Sequence, residues 1–277
     1  MKKFIFTLII MLIIMIGSFY LLIADNRTEE AYDIKEYGVF LSTDNQQIEE
    51  LKNYKTIVID AAYFDKADIA ELKENGQKVY SYLNIGSLEN FRIYYKDYSK
   101  YTLGQYANWE EEQWIDVSEK EWQKLVGKLA AEYADKGVDG YFIDNCDVYY
   151  FYNQNKIYNG LVEILGELKN TGLEVIINGG DTFIYKYYKN NNSVKEILTG
   201  INQETVFSSI DFENNKLGHS SKKDRQYFIS YLHKMNKAGA EIYLLEYTRD
   251  RRLANKIKKY CTNHNWKYYI SDSIELD

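Results

Sequence analysis

Two carboxylates three residues apart, Asp144 and Asp147, follow the apolar run Tyr141-Phe142-Ile143, and tyrosines stand directly behind them at Tyr149, Tyr150 and Tyr152. A run of that length and composition predicts a buried parallel strand. A charge at the end of such a strand is costly unless it is partnered, and in α/β barrels this end is where catalytic groups stand. The competing explanation is capping, in which Asp144 or Asp147 accepts from the first N–H groups of a following helix. Repetition argues against it. Other predicted strands end in Asp60, Asn84, Asn178, Asn202-Gln203-Glu204, Glu246-Tyr247 and Asp272. Carboxylates and carboxamides converging on one mouth, with no His, nucleophilic Ser or Lys beside them, suit glycoside hydrolysis, in which one acts as acid and another as nucleophile or base. A divalent metal is the alternative use of such a cluster. Beyond Asp144 and Asp147 no tight DxD or DxN repeat supports it, so the reading calls for neither metal nor cofactor.

The elements that must position these groups follow a regular rhythm. Strands are predicted at Tyr37–Leu41, Thr56–Asp60, Lys78–Asn84, Gly140–Asp144, Glu174–Asn178, Gly200–Glu204, Glu241–Glu246 and Lys267–Ser271. Helical patterns fall between them, among them Glu119–Lys136, Tyr158–Asn170, Lys222–Ala238 and Asp250–Asn263. Glycines at Gly76, Gly137, Gly172 and Gly239 stand where a helix C-cap would want them before a strand. Eight strands in this rhythm predict a (β/α)8 TIM barrel. An open doubly wound sheet is the alternative, but no Gly-rich phosphate loop supports it. After the eighth strand only Ser273–Asp277 remain, too few for a full final helix, so that helix is missing or the segment before residue 37 covers the gap. The connection after strand three, Ile85–Ser118, is long and aromatic. A loop of that length is functional or disordered, and this one is too aromatic for disorder.

With 41 acidic and 34 basic residues in 277, the net charge of −7 argues against nucleic acid and is compatible with a neutral or cationic substrate. His219, His233 and His264 lie away from the strand ends, which disfavours a deacetylase-like metal hydrolase. Cys146 and Cys261 match no zinc spacing and are expected as free thiols. Lys2 and Lys3 precede an apolar run of about 20 residues, Phe4 to Ile23, long enough to cross a bilayer. The positive-inside rule places the chain after Asp25 outside the cytoplasm. Bulky Leu22 and Ile23 before Ala24 make a poor cleavage site, so an uncleaved membrane anchor is expected over a cleaved signal peptide. The expected organisation is 1–24 anchor or signal, 25–36 linker and 37–277 barrel.

Geometry chooses the reacting pair. Neighbouring strands lie about 4.8 Å apart, so the fourth and sixth are roughly 10 Å apart at the backbone. Convergent side chains of Asp144 and Glu204 would close this to about 5–6 Å, the separation of a retaining pair. Asp144 and Glu246, on the fourth and seventh strands, make a wider pair that would suit inversion.

The stretches Tyr82-Leu-Asn84-Ile-Gly-Ser-Leu-Glu89-Asn-Phe-Arg92, Trp109-x-x-Glu112-x-Trp114-Ile-Asp116, Asp144-Asn145-x-Asp147, Asn202-x-Glu204 and Glu246-Tyr247 occur in this order and span nearly the whole chain after the apolar run. In them the chain resembles the bacterial branch of the endo-α-1,4-polygalactosaminidase family, glycoside hydrolase family 114. The resemblance implies a (β/α)8 barrel acting on α-linked galactosamine polymers, with the family's carboxylates carried onto Asp144 and Glu204. The expectation is therefore an extracytoplasmic retaining endo-glycosidase, with Asp144 as nucleophile and Glu204 as acid/base. Asp60, Asn84, Asp147, Asn178 and Glu246 are expected to bind the sugar, and Trp109 and Tyr149 to flank it. A non-catalytic cell-surface glycan-binding barrel is the second reading.

Overall fold

The computed structural model describes residues 34–276 except Asn108. Among the described residues thirteen strands are formed: β1 Gly38–Phe40, β2 Thr56–Ile59, β3 Lys78–Asn84, β4 Ser87–Glu89, β5 Thr102–Gln105, β6 Glu112–Ile115, β7 Gly140–Asp144, β8 Glu174–Asn178, β9 Gly200–Glu204, β10 Ser208–Asp211, β11 Lys216–His219, β12 Glu241–Tyr247 and β13 Lys267–Ser271. Eight of them make one sheet in the order β1-β2-β3-β7-β8-β9-β12-β13. Its neighbours pair in parallel; Asn84 stands opposite Asp144, and Asn178 opposite Asn202. The last strand returns to the first, with the Phe40 ring 5.4 Å from that of Tyr269 on β13. Seven helical connections follow barrel strands, and the fold is the expected (β/α)8 barrel. The described residues after β13 form no helix.

Strand periodicity explains the two layers of core. Successive side chains point to opposite faces, and one set, Tyr37, Val39, Val58, Tyr80, Tyr82, Phe142, Ile176, Tyr243, Leu245 and Tyr247, fills the barrel interior with Leu276 against it. The alternate set, including Ile57, Ile59, Tyr141, Ile143, Ile177, Ile201 and Leu244, packs outward against the helices. Those helices are amphipathic. Arg251–His264 buries only Leu253, Ile257 and Cys261, one stripe at a spacing of four, and gives the rest of its surface to charged and polar residues. Both cysteines are buried free thiols.

Two excursions leave the barrel at its C-terminal end. The long aromatic connection after β3 is not a loop: β4, β6 and β5 form a small antiparallel sheet. Many of its aromatics pack on the body, as Tyr94 and Tyr98 do on buried Trp122, and Trp114 on Tyr106 and Phe151. The second excursion is the hairpin β10–β11 after β9. The apolar run 4–23, on which the anchor expectation rests, lies outside the described residues; among those described, no helix is long and apolar enough to cross a membrane.

Candidate active site

Three adjacent strands end in the same way. The residues that follow Asp144, Asn178 and Glu204 are Asn145, Gly179 and Thr205, and all three have left-handed backbone, with φ of 66°, 65° and 54°. This conformation is uncommon for non-glycine residues and costly for a β-branched one such as Thr205. Each turn stops the ladder immediately past the side chain that the strand delivers to the mouth. At Gly179 a Cβ would lie 2.6 Å from Asp147 Oδ2. Gly86, after β3, is needed for close approach, because a Cβ there would fall 1.7 Å from the Asn145 carbonyl oxygen.

The mouth is a cleft of about 560 Å³ lined by Asp60, Trp109, Asp144, Asp147, Asn178 and Glu204 of the expected residues. Asn178 Nδ2 donates to Asp144 Oδ1 at 3.0 Å and to Glu204 Oε1 at 2.7 Å, so one amide nitrogen bridges the two carboxylates. Tyr82 donates to Asp144 Oδ2 at 3.2 Å, and Tyr247 to Glu204 Oε2 at 2.8 Å. These partners are neutral, and the carboxyls respond accordingly. Burial, with the charges of Glu204 and Glu112, pushes Asp144 up to about 8. Burial also raises Glu204, against the hydrogen bonds from Asn178 and Tyr247. Two groups this close titrate as a pair.

Asp147 makes no side-chain cap on the short helix Val148–Phe151 that follows it. It accepts instead from the Gly180 N–H at 3.0 Å, and burial pushes it up to about 6. Asp60 caps the turn after β2 through the Ala62 N–H and pairs with Arg92 at 2.8 Å. Arg92 also holds Glu89 at 2.5 Å, so the one Lys or Arg among the described lining residues is shared between two buried carboxylates. Trp109 is 43% exposed and meets Phe212 of the β10–β11 turn edge to face, ring centroids 6.0 Å apart.

Three expected ligands do not reach the cleft. Glu246 is fully buried and faces outward, because on β12 it alternates with the inward Leu245 and Tyr247. Its carboxylate accepts from Phe207 N (2.9 Å), Ser208 N (2.8 Å) and Ser208 Oγ (2.5 Å), which ties down the segment after Glu204. Burial pushes it up to about 7. Asn84 lies behind the cleft wall; its amide donates to Ser87 Oγ at 2.7 Å and accepts from Ser87 N at 3.0 Å. Tyr149 is packed against Tyr158 and Phe183, its hydroxyl held by Asn153 and Lys186. It sits on the inner side of its short helix, whereas the neighbouring Tyr150 is exposed.

Among the lining groups that sequence reasoning did not place in the site are Tyr82, Tyr247 and Glu112. Tyr82 and Tyr247 share the inward parity of Tyr80 and Tyr243, which a count by twos along each strand would have shown. Glu112 stands on β6 and accepts from Ser87 Oγ (2.5 Å) and from the amides of Asn145 (3.3 Å) and Asn84 (3.5 Å). Burial pushes it up to about 7. Its one sequence signal was its place in the stretch Trp109–Asp116.

A (β/α)8 barrel whose C-terminal mouth gathers carboxylates, amides and phenols is the architecture of a glycosidase. The chain belongs to glycoside-hydrolase family GH114, whose model matches residues 27–273. The glycoside hydrolase domain of PelA from Pseudomonas aeruginosa is similar at a TM-score of 0.75 and 19% identity, over 87% of this chain and 96% of that one. Aspergillus fumigatus Ega3, solved in complex with galactosamine, is similar at 0.66 and 16%, over 88% and 93%. The α-galactosidase TtGalA from Thermus thermophilus is similar at 0.58 and 7%, over 84% and 57%. No curated protein sequence matches the chain. At these identities the structural likeness is one of fold.

Proposed function

We propose that this glycosidase cleaves α-linked galactosamine-type polysaccharide internally, with retention, using Asp144 as nucleophile and Glu204 as acid/base. The shared Asn178 nitrogen carries the reading. Two oxygens 3.0 and 2.7 Å from one atom fall short of the roughly 6.5–9.5 Å of an inverting pair even if the three atoms were collinear. They suit the about 5–5.5 Å of a retaining pair. Asp144 is the shorter arm, held by Tyr82 and Asn178 for attack on the anomeric carbon. Glu204 has one more methylene with which to reach the leaving oxygen.

In the first step the Asp144 carboxylate forms the glycosyl ester while Glu204 gives its proton to the leaving oxygen. In the second, Glu204 takes a proton from water, which attacks the anomeric carbon and frees Asp144. The amino-sugar assignment is supported by the cleft's charge: Asp144, Asp147, Glu112 and Glu204 line it without a lysine or arginine partner. An ammonium group there would meet carboxyls with no competing cation and would favour their ionised forms, and galactosamine is the sugar bound in Ega3. Asp60 and Asp147 would contact the sugar, with Trp109 as a stacking face. Residues 2–23, two lysines before an apolar run, support an extracytoplasmic, membrane-tethered enzyme. N-terminal sequencing from the native host that began near Ala24 would refute the tether.

A second reading exchanges the two roles, favoured by the push on Asp144 to about 8. One experiment separates the readings. Reducing ends released from α-1,4-polygalactosamine should vanish in Asp144→Asn. In Glu204→Gln, given an activated leaving group, azide should restore turnover and yield an α-glycosyl azide, because azide needs no general base. Rescue of Asp144→Asn to an α-glycosyl azide instead would reverse the roles, whereas a β-glycosyl azide from that variant is direct displacement and leaves Asp144 the nucleophile. Absence of wild-type release would remove the substrate assignment.

A further inference from the structure

Asn178 does not stand alone. Its Oδ1 accepts from Asn202 Nδ2 at 2.7 Å, and Asn202 Oδ1 accepts from the Tyr37 hydroxyl at 3.1 Å. Asn202 is fully buried and Tyr37 is 1% exposed, both inside the barrel beneath the cleft. The polarity of this chain is dictated from its top. An ionised carboxylate only accepts, so the Asn178 NH2 must face Asp144 and Glu204. Its oxygen must then face Asn202, whose NH2 must face up and whose oxygen must face down. Tyr37 is left as the donor, and burial together with the nearby Tyr243 and Glu204 raises its phenol well above its ordinary value, keeping that proton in place.

We infer that Tyr37 and Asn202 are positioning residues that lock the Asn178 amide against flipping, so that its two N–H groups face the reacting pair throughout the catalytic cycle. The inference rests on the two-carboxylate reading above. In that chemistry the pair carries one negative charge at every stage. It sits on Asp144 before attack and on Glu204 once Asp144 is esterified and the proton has gone to the leaving group; hydrolysis returns it. A nitrogen with one N–H aimed at each carboxylate serves both states without moving, which is the preorganised arrangement that stabilises shifting charge best. A flipped amide would set its oxygen against an anion in either state. The groups that face the pair are Tyr82, Tyr106, Glu112 and Asn178 around Asp144, and Tyr247, Tyr106, Asp147 and Asn178 around Glu204. None of them could replace the lock, because none contacts the Asn178 oxygen.

The test uses the full chain labelled with ¹³C at its Asp and Glu carboxyls, titrated without substrate, together with kcat and KM on an α-1,4-galactosamine oligomer. Asn202→Asp puts an acceptor where the lock needs a donor. It should turn the Asn178 amide over, raise the titration of the pair by at least about one pH unit and lower kcat about a hundredfold with KM within twofold. Tyr37→Phe removes the last donor and adds no charge; it should lower kcat about tenfold and shift the titration the same way by a smaller step. Tyr243→Phe is the control, a barrel-interior tyrosine whose hydroxyl bonds Glu241 instead. It should cost thermal stability and leave the titration where it was. If Tyr37→Phe and Asn202→Asp leave the titration at its wild-type position, or lose kcat only as far as Tyr243→Phe does at equal Tm loss, the lock is refuted. A wild-type chain without turnover would refute the substrate reading alone, since the titration needs no substrate.

Discussion

The two ends of the barrel treat their carboxylates in opposite ways. At the N-terminal end Glu174 has Lys78 at 2.5 Å and the Tyr80 hydroxyl, and Glu241 has Lys267 at 2.9 Å and the Tyr243 hydroxyl at 2.8 Å. Burial pushes Glu241 up, but the bonds from Lys267 and Tyr243 outweigh it and leave it below the ordinary value. At the C-terminal end Asp144, Glu204, Asp147 and Glu112 have amides, phenols, a hydroxyl and a backbone N–H for partners, and all are raised. One end is neutralised and serves stability; the other, apart from Asp60 and Glu89 on Arg92, holds its carboxyls above their ordinary values, as acid–base chemistry requires. This is the division of labour expected of the two faces of such a barrel.

The largest effect that would break this contrast is loss of a reacting carboxylate. Asp144→Asn should lower kcat about ten-thousand-fold, measured by reducing-end release, and the protein should stay folded. Its stability sharpens the point. A carboxyl raised to about 8 when folded and near 3.9 when unfolded binds its proton more tightly in the folded chain, so stability is lost as pH rises between those values. The Tm of Asp144→Asn should therefore gain on wild type between pH 5 and pH 8.5, followed by thermal melts. A constant difference would show that Asp144 titrates as an ordinary surface acid.

Next in size is Glu246→Ala, which leaves Phe207 N, Ser208 N and Ser208 Oγ buried without their acceptor. A loss of about 2–5 kcal/mol is expected from chemical denaturation, together with lower kcat, because the segment released begins at Glu204. Unchanged stability would contradict the outward placement of this side chain. Trp109→Ala should raise KM about three- to tenfold and leave Tm nearly unchanged; a large thermal loss would make Trp109 a packing residue. The smallest effect belongs to the far end. Lys267→Met should cost about 0.5–1 kcal/mol, as a partly exposed ion pair does, and leave kcat and its pH profile alone.

Much of the scaffold was legible in the sequence because strands buried on both faces are continuous apolar runs, and seven of the eight barrel strands begin or end where composition places them. Asp144 stood out as a charge where such a run stops, and Glu204 as the charge that ends the polar run Asn202-Gln203-Glu204. Glu246 misled for the opposite reason: reading the last polar residue of β12 ignores the period of two that turns it outward and brings Tyr247 inward. Tyr149 misled because a four-residue helix shows no periodicity from which to tell its inner from its outer side. Glu112 was hidden by topology, since a strand pairing inside an excursion leaves no alternation long enough to say which residue returns to the barrel mouth. The bond from Asn178 to both carboxylates joins residues 26 and 34 positions apart in sequence, and only the fold shows it.

The central claim is that Asp144 and Glu204, bridged by one amide nitrogen, form a retaining pair. Proton NMR of the wild-type reaction on α-1,4-galactosamine oligomers reads this directly from the anomeric signals of the first product, before mutarotation scrambles them. The α anomer should appear at the earliest time points, with β following only as mutarotation proceeds. A first product of β configuration would contradict it and require a more widely separated acid and base.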